Sequence, residues 1–147
     1  MANPLAPRIT SGGASFGLLV LRLVVGLALC FDGWGKVQSM TDWMASMPEP
    51  MRNAIPEFAR AGWAQAFAAI AEFGGGIALA AGLLTPLAAL AIVGTLGMAA
   101  YTHFAVGHSF TGSPSFELPL TYTAAAVCIL FCGPGKMSLD GMVFKKD

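Results

Sequence analysis

Charge is scarce in this sequence. Only 11% of its 147 residues are Asp, Glu, Lys or Arg, against about a quarter in a soluble domain. With 56% hydrophobic residues, the chain cannot cover its own exterior with polar groups. That excludes an ordinary water-soluble globule and points to the bilayer as solvent. Neither sign of charge is in excess. Eight basic and eight acidic residues give a formal net charge of zero, so the basic face that nucleic-acid binding needs is missing.

Cysteine is sparse too. Cys30, Cys128 and Cys132 are odd in number and lie inside apolar runs, which excludes a disulfide framework. Cys128 and Cys132 share a helix face, but a rigid helix holds i,i+4 side chains poorly for a disulfide. Cys30 falls near the opposite membrane face from Cys132. All three read as small hydrophobes. The CxxC-type pair of a membrane thiol–disulfide oxidase is absent. His103 and His108 have no paired cysteines nearby, so no metal site is expected. There is no nicotinamide or flavin fingerprint, no internal repeat and no low-complexity segment.

What the sequence has in quantity is long apolar runs. A helix needs about 20 mainly apolar residues to cross the hydrocarbon core, and four stretches qualify: 15–34, 63–84, 86–106 and 117–132. Backbone groups inside the core must be satisfied within their own segment, so these are helices. Glycines Gly33 and Gly35 follow the first. Gly82-Leu83-Leu84-Thr85-Pro86 is a tight turn that makes the second and third antiparallel neighbours, and Gly133-Pro134-Gly135 stops the fourth. The expected fold is therefore all-α, a polytopic four-transmembrane-helix bundle forming one domain over 1–147. The loop 35–62 carries Pro48, Pro50 and Pro56 with Trp43, Met44, Met47, Ile55 and Phe58, and is expected on the membrane surface with a short amphipathic helix.

The first run contains Arg22 and lacks a small-x-small cleavage site, so it is not a signal peptide. Leu27-Ala28-Leu29-Cys30 is a poor lipoprotein signal because Leu29 is too bulky. The segment is expected to stay in the mature protein. Arg8, Lys136, Lys145 and Lys146 lie on the side of both termini, and Lys36, Arg52 and Arg60 on the other. This bias places both termini in the cytoplasm. Trp34, Trp43 and Trp63 belong to the long-loop side as an aromatic anchor.

Charges inside a membrane cost roughly 2.5–3.5 kcal/mol each on insertion scales, so they face protein or water and mark candidate sites. Arg22 lies near the middle of the first helix and Glu72 well inside the second. Asp32 and Lys36 close the first helix, His103 is near the end of the third, and Glu117 opens the fourth. Topology brings Asp32, Lys36, His103 and Glu117 out on the long-loop side. On the first helix Arg22, Gly26, Gly33 and Lys36 share a stripe, and on the second Gln65, Ala68, Ala69, Glu72, Gly75 and Gly76 share another. Small residues let helices approach closely in lipid, which puts Glu72 on a packing face. Glu117, Thr121, Ala124 and Cys128 align on the fourth helix, suggesting an interior polar toward one mouth.

Each residue also has a plain structural reading. Glu72 can pair with Arg22 or carry a proton. Arg22 leans toward its helix N-terminus and can snorkel to the interface. Asp32 and Lys36 can form a helix-end ion pair, His103 can hydrogen-bond at the interface, and Glu117 suits a helix start. His108 reads as loop.

Taken in order, Leu21-Arg22-Leu23, Gly26, Phe31, Gly33-x-x-Lys36, Glu72-Phe73-Gly74-Gly75-Gly76, Gly82-Leu83-Leu84-Thr85-Pro86, Met98, His103, Glu117 and Gly133-Pro134-Gly135-Lys136-Met137-Ser138-Leu139-Asp140 resemble the DoxX family of small bacterial membrane proteins. The resemblance covers nearly the whole chain and implies a four-helix membrane fold and redox work. Relatives include the membrane subunit of a thiosulfate:quinone oxidoreductase and proteins linked to oxidative or quinone stress. Arg22, Lys36, Glu72, His103 and Glu117 match recurring polar positions of the family. Many relatives carry His where this chain has Asp32, which weakens any transfer of activity.

The leading expectation is a quinone-linked membrane oxidoreductase or its subunit. Glu72, His103 and Glu117 are its catalytic candidates, and Arg22, Asp32 and Lys36 its substrate-binding candidates. Quinone is the expected cofactor, membrane lipid the surroundings, and an electron-donor protein and a homo-oligomer the candidate partners. Two alternatives come from other classes: a small-solute or ion pathway, and a non-catalytic membrane anchor of a partner complex.

Overall fold

The computed structural model describes residues 11–143. Arg8, Lys145 and Lys146, on which the reading of orientation leaned, lie outside the described residues. Seven α-helices occur among the described residues: α1 (Gly12–Gln38), α2 (Glu49–Ala54), α3 (Glu57–Arg60), α4 (Gly62–Ala81), α5 (Thr85–Ala105), α6 (Glu117–Cys132) and α7 (Leu139–Val143). A 3-10 turn over Trp43–Ser46 precedes α2.

Helices α1, α4 and α5 have 27, 20 and 21 residues and are long and apolar enough to cross a membrane, and α6 is an apolar helix of 16. At 1.5 Å per residue α6 spans about 24 Å, somewhat short of the roughly 30 Å hydrocarbon core. The four form an all-α membrane bundle. α1 lies chiefly on α4, α5 packs on both α4 and α6, and α6 closes back on α1. The core draws on all four, with Leu18, Val25 and Leu29 meeting Leu79, Ala89, Ile92, Leu96, Ala126 and Ile129. Large apolar side chains also cover the outside, among them Val24, Ile70, Leu90 and Phe131, with Phe31 81% exposed. In water such a surface would aggregate; in lipid it is the solvated face.

Two glycines set the closest approach. A Cβ on Gly26 would come within 2.5 Å of the Gly76 carbonyl oxygen and 2.8 Å of the Ala80 nitrogen. The α1 and α4 backbones touch there because neither carries a side chain, as the spacing of Arg22, Gly26, Gly33 and of Glu72, Gly76 predicts. The contact fixes which α1 residues face α4, and so where Lys36 ends up.

The α6 stripe is turned the other way from its expectation. Glu117, Thr121, Ala124 and Cys128 are all exposed, and the buried positions are Ala126 and Ile129. The hydroxyls do not require an interior. Thr121 donates to the Glu117 carbonyl at 2.7 Å and Thr123 to that of Pro119 at 2.7 Å, so both are satisfied within their own helix.

The turn between α4 and α5 ends α4 in a Schellman motif, with Gly82 at φ 69°. Leu83 N–H donates to the Ala78 carbonyl at 2.8 Å, and Gly82 N–H to that of Leu79 at 3.1 Å. Leu84 then takes φ 46°, a left-handed conformation costing a side-chain-bearing residue roughly 1–2 kcal/mol. The C-terminal segment offsets that cost. The Asp140 carboxylate accepts the Leu84 N–H at 2.8 Å and the Thr85 N–H at 2.7 Å, capping α5 from outside its own sequence.

Candidate functional site

The long loop is a roof over the end of α4 and α5. Gln65, buried in the first turn of α4, pins it there. Its Oε1 accepts the Met44 N–H at 3.0 Å, its Nε2 donates to the Arg60 carbonyl at 2.8 Å, and its own carbonyl accepts Trp43 Nε1–H at 3.1 Å. Met44 and Ile55 are buried, so these two side chains of the loop point down onto the bundle. The loop, expected on the membrane surface with a short amphipathic helix, holds a 3-10 turn and the short helices α2 and α3. They form a packed cover over the bundle end, because the backbone polar groups of Met44 and Arg60 find partners in one glutamine side chain.

Beneath this cover is a cavity of about 450 Å³ between α4 and α5. Its sides are apolar and aromatic, with Trp43, Phe58, Trp63, Phe67 and Met98 among the lining residues, and three ionisable residues reach it: Lys36, Glu72 and His103. Lys36 Nζ lies 2.5 and 2.6 Å from the two carboxylate oxygens of Glu72. The Glu72 side chain is 3% exposed and that of Lys36 26%. The ammonium also sits 4.8 Å from the centroid of the Trp43 ring, held between a carboxylate and an aromatic face. Glu72 is the eleventh residue of α4, so the pair lies about 15 Å in from that helix's start.

His103 is oriented from the following loop. Its Nδ1 is 2.9 Å from Nδ1 of His108, one ring donating to the other. The rings meet edge to face at 5.0 Å. The backbone arranges this: the His108 N–H donates to the His103 carbonyl at 3.1 Å, closing a turn that folds the loop residue back over the helix end. A five-residue separation across a helix terminus gives no periodic signal, which is why His108 reads as plain loop in the sequence.

The six candidates divide into two groups. Lys36, Glu72 and His103 come together in one cavity. Arg22, Asp32 and Glu117 do not line it. Asp32 and Glu117 are exposed, on α1 and at the start of α6. The partner of Lys36 is Glu72 on the neighbouring helix, not Asp32 four residues away.

Arg22 corrects two expectations. It neither pairs with Glu72 nor snorkels to the interface, but is fully buried. Its Nη2 donates to the Met137 carbonyl at 2.5 Å, and Asp140 supplies the nearby negative charge. A Cβ on Gly82 would collide with the guanidinium, so the glycine of the turn also makes room for the arginine. The closing segment folds onto this cluster. Ser138 Oγ donates to the Gly135 carbonyl at 2.6 Å and accepts the Gly141 N–H at 2.9 Å, while Asp140 N–H donates to the Gly82 carbonyl at 2.8 Å. Asp140 stood in the sequence only as the last residue of a motif, and its role as the cap of α5 depends on a contact between residues 55 and 56 apart. No periodicity reports that.

Comparison with known proteins bears on the family of the chain. The chain is 29% identical over 133 residues to Inner membrane protein YqjF of Escherichia coli (strain K12), an alignment covering 88% of this chain and 94% of that one. No solved structure matches the chain. The sequence profile of the DoxX family matches residues 17–105, which takes in Arg22, Lys36, Glu72 and His103 together with the glycine contact between α1 and α4. This chain belongs to the DoxX family, as a bacterial inner-membrane protein.

Proposed function

We propose that the protein is a quinone-linked membrane oxidoreductase, or the membrane subunit of one, whose site is the Lys36–Glu72–His103 cavity. One observation carries this reading: a cation and a carboxylate are paired inside an aromatic and apolar cavity at membrane depth. Such a site suits a molecule that is mostly apolar and carries a few polar atoms. A quinone ring has that character, being planar, soluble in lipid and furnished with two carbonyl oxygens. The cavity volume lies within the usual range of roughly 300–1,000 Å³ for small-molecule sites.

The chain's own groups supply what the chemistry needs. Reduction to the quinol takes two electrons and two protons. Lys36 is placed to donate a hydrogen bond to one carbonyl oxygen. His103, backed by His108, is placed to deliver a proton from the loop side, where water reaches the helix ends. Glu72 holds Lys36 in position and is the second proton-handling group. Trp43, Trp63 and Phe58 offer faces for a planar ring. The electrons come from a donor protein or from a reducing substrate. Asp32, Glu117 and Arg22 have no part at this cavity. Both termini are assigned to the cytoplasm because Arg8, Lys136, Lys145 and Lys146 on their side outnumber Lys36, Arg52 and Arg60 on the loop side.

Purification from native membranes, followed by mass spectrometry of co-purifying lipids, tests the reading. The wild-type protein should carry quinone and the Glu72→Gln variant should have lost it. A well-folded wild-type sample that neither retains nor takes up quinone counts decisively against the proposal.

A further inference from the structure

A second depression runs along the outer side of the same two helices. It encloses about 500 Å³ and is lined by apolar residues and glycine, including Ile70, Gly74, Ala78, Leu87 and Ala91. It meets the polar cavity: Phe67 and Gly94 line both. From Leu84 to Gly94, both lining residues, the groove follows α5 for about 15 Å at the helical rise of 1.5 Å per residue. Together the two spaces form one site with an ion pair at one end and an apolar trough at the other.

We infer that the α4–α5 groove binds the hydrocarbon tail of the quinone whose ring occupies the Lys36–Glu72 cavity. The inference rests on the functional reading above and adds where the tail lies and which way it runs. Continuity through Phe67 and Gly94 is the first ground. Depth is the second. Glu72 stands midway along α4, and on α5 the groove runs from Gly94 to Leu84, away from the long loop. A phospholipid that set its headgroup against Lys36 and Glu72 with a tail in the groove would bring that charge to the middle of the membrane, at a high desolvation cost. A neutral ring carries no such cost. The trough therefore fits a chain that ends in a neutral polar ring, and an ordinary acyl chain has no reason to stop at the ion pair.

Gly94 gives the joint its opening. A Cβ there would meet nothing within 4 Å, so a larger side chain projects into free space instead of into the fold. Gly74 lines the groove alone, and a Cβ there would meet only Ile70 Cγ2 at 3.8 Å, an ordinary contact.

The test uses the full chain in phosphatidylcholine nanodiscs, titrated with tailless 2,3-dimethoxy-5-methyl-1,4-benzoquinone and with its decyl derivative, each corrected for partition into empty discs. In the wild type the decyl compound should bind about tenfold tighter than the tailless one, a difference in Kd well outside error. Gly74→Leu, which enters the groove alone, should abolish that advantage and leave the tailless affinity within about twofold. Gly94→Leu, at the joint, should abolish the advantage as well, whatever it does to the ring. A full decyl advantage in Gly74→Leu overturns the inference and marks the groove as ordinary lipid-facing surface. If the tailless ring binds and the tail adds nothing in the wild type, the functional reading stands and the inference falls. If the tailless ring does not bind, both fall.

Discussion

Two polar clusters lie at opposite ends of this bundle, and they are built differently. At the terminus side, Arg22, Asp140, Gly82 and the backbone of Met137, Leu84 and Thr85 are packed against one another, with the carboxylate spent on two helix-start N–H groups. At the loop side, Lys36 and Glu72 face a cavity that aromatic side chains surround but do not fill. Both contain a charge of each sign, with the carboxylate buried. In the first, those charges stitch three chain segments together. In the second, the charges satisfy each other and leave space beside them. Buried ion pairs are weak contributors to stability when apolar packing could replace them. A pair kept next to an open cavity is better explained by what enters the cavity than by the fold.

The largest expected effect comes from breaking the closed cluster. Asp140→Ala leaves the Leu84 and Thr85 N–H groups without their acceptor and removes the charge beside Arg22. Hydrogen bonds to charged groups are worth about 1.5–3 kcal/mol each, so the variant should lose roughly 3 kcal/mol. That appears as a marked fall in thermal unfolding temperature in detergent, with ring affinity unchanged in whatever fraction stays folded. An unchanged melting temperature would deny the cluster its structural role.

Lys36→Met should do the reverse at the loop side. The variant abolishes quinone retention, and it costs stability only modestly, about 1–2 kcal/mol, because it removes one ion pair from a part-exposed lysine and leaves no backbone N–H without its acceptor. Calorimetry together with ligand mass spectrometry separates the two readouts. Equal losses in this variant and in Asp140→Ala would erase the distinction between the clusters.

Smaller effects sharpen it. Gln65→Leu removes the acceptor for the Met44 N–H and the donor to Arg60 and should cost about 1 kcal/mol. Hydrogen exchange should rise over residues 43–60 while α1 and α6 stay protected. Smallest is His108→Phe, which keeps the ring's bulk but removes the contact to His103. It should slow quinone reduction at high pH more than at low pH, since a relay missing one member delivers protons least well when they are scarce. A uniform loss across pH would assign His108 a structural part instead.

The four long apolar helices and their lipid-facing character were legible because a bilayer demands long apolar runs, and four such runs are plain to read. The close face of α1 against α4 was legible too, since Gly26 and Gly76 recur at helical spacing with Arg22 and Glu72. What the spacing could not supply was partnership between segments. Lys36 has an acid four residues behind it and another 36 residues ahead, and the sequence offered no ground for choosing the distant one. Arg22 drew attention as a membrane-embedded charge, but its partners belong to a segment 115 residues later. The α6 stripe misled because threonine can satisfy its hydroxyl on the preceding turn, so a polar alignment on one helix face is no sign that the face is interior. Gln65 and His108 went unassigned for a related reason: each acts through backbone or loop contacts that only the folded chain creates.

The measurement that bears most directly on the division between the two clusters is a ligand-dependent thermal shift with the tailless benzoquinone, on wild type, Glu72→Gln and Asp140→Asn. Wild type should melt higher with the ring compound than without it. Asp140→Asn should start lower and rise by the same increment, whereas Glu72→Gln should start near wild type and not rise at all. An equal increment in Glu72→Gln and wild type would contradict the assignment of the loop-side pair as the ligand site.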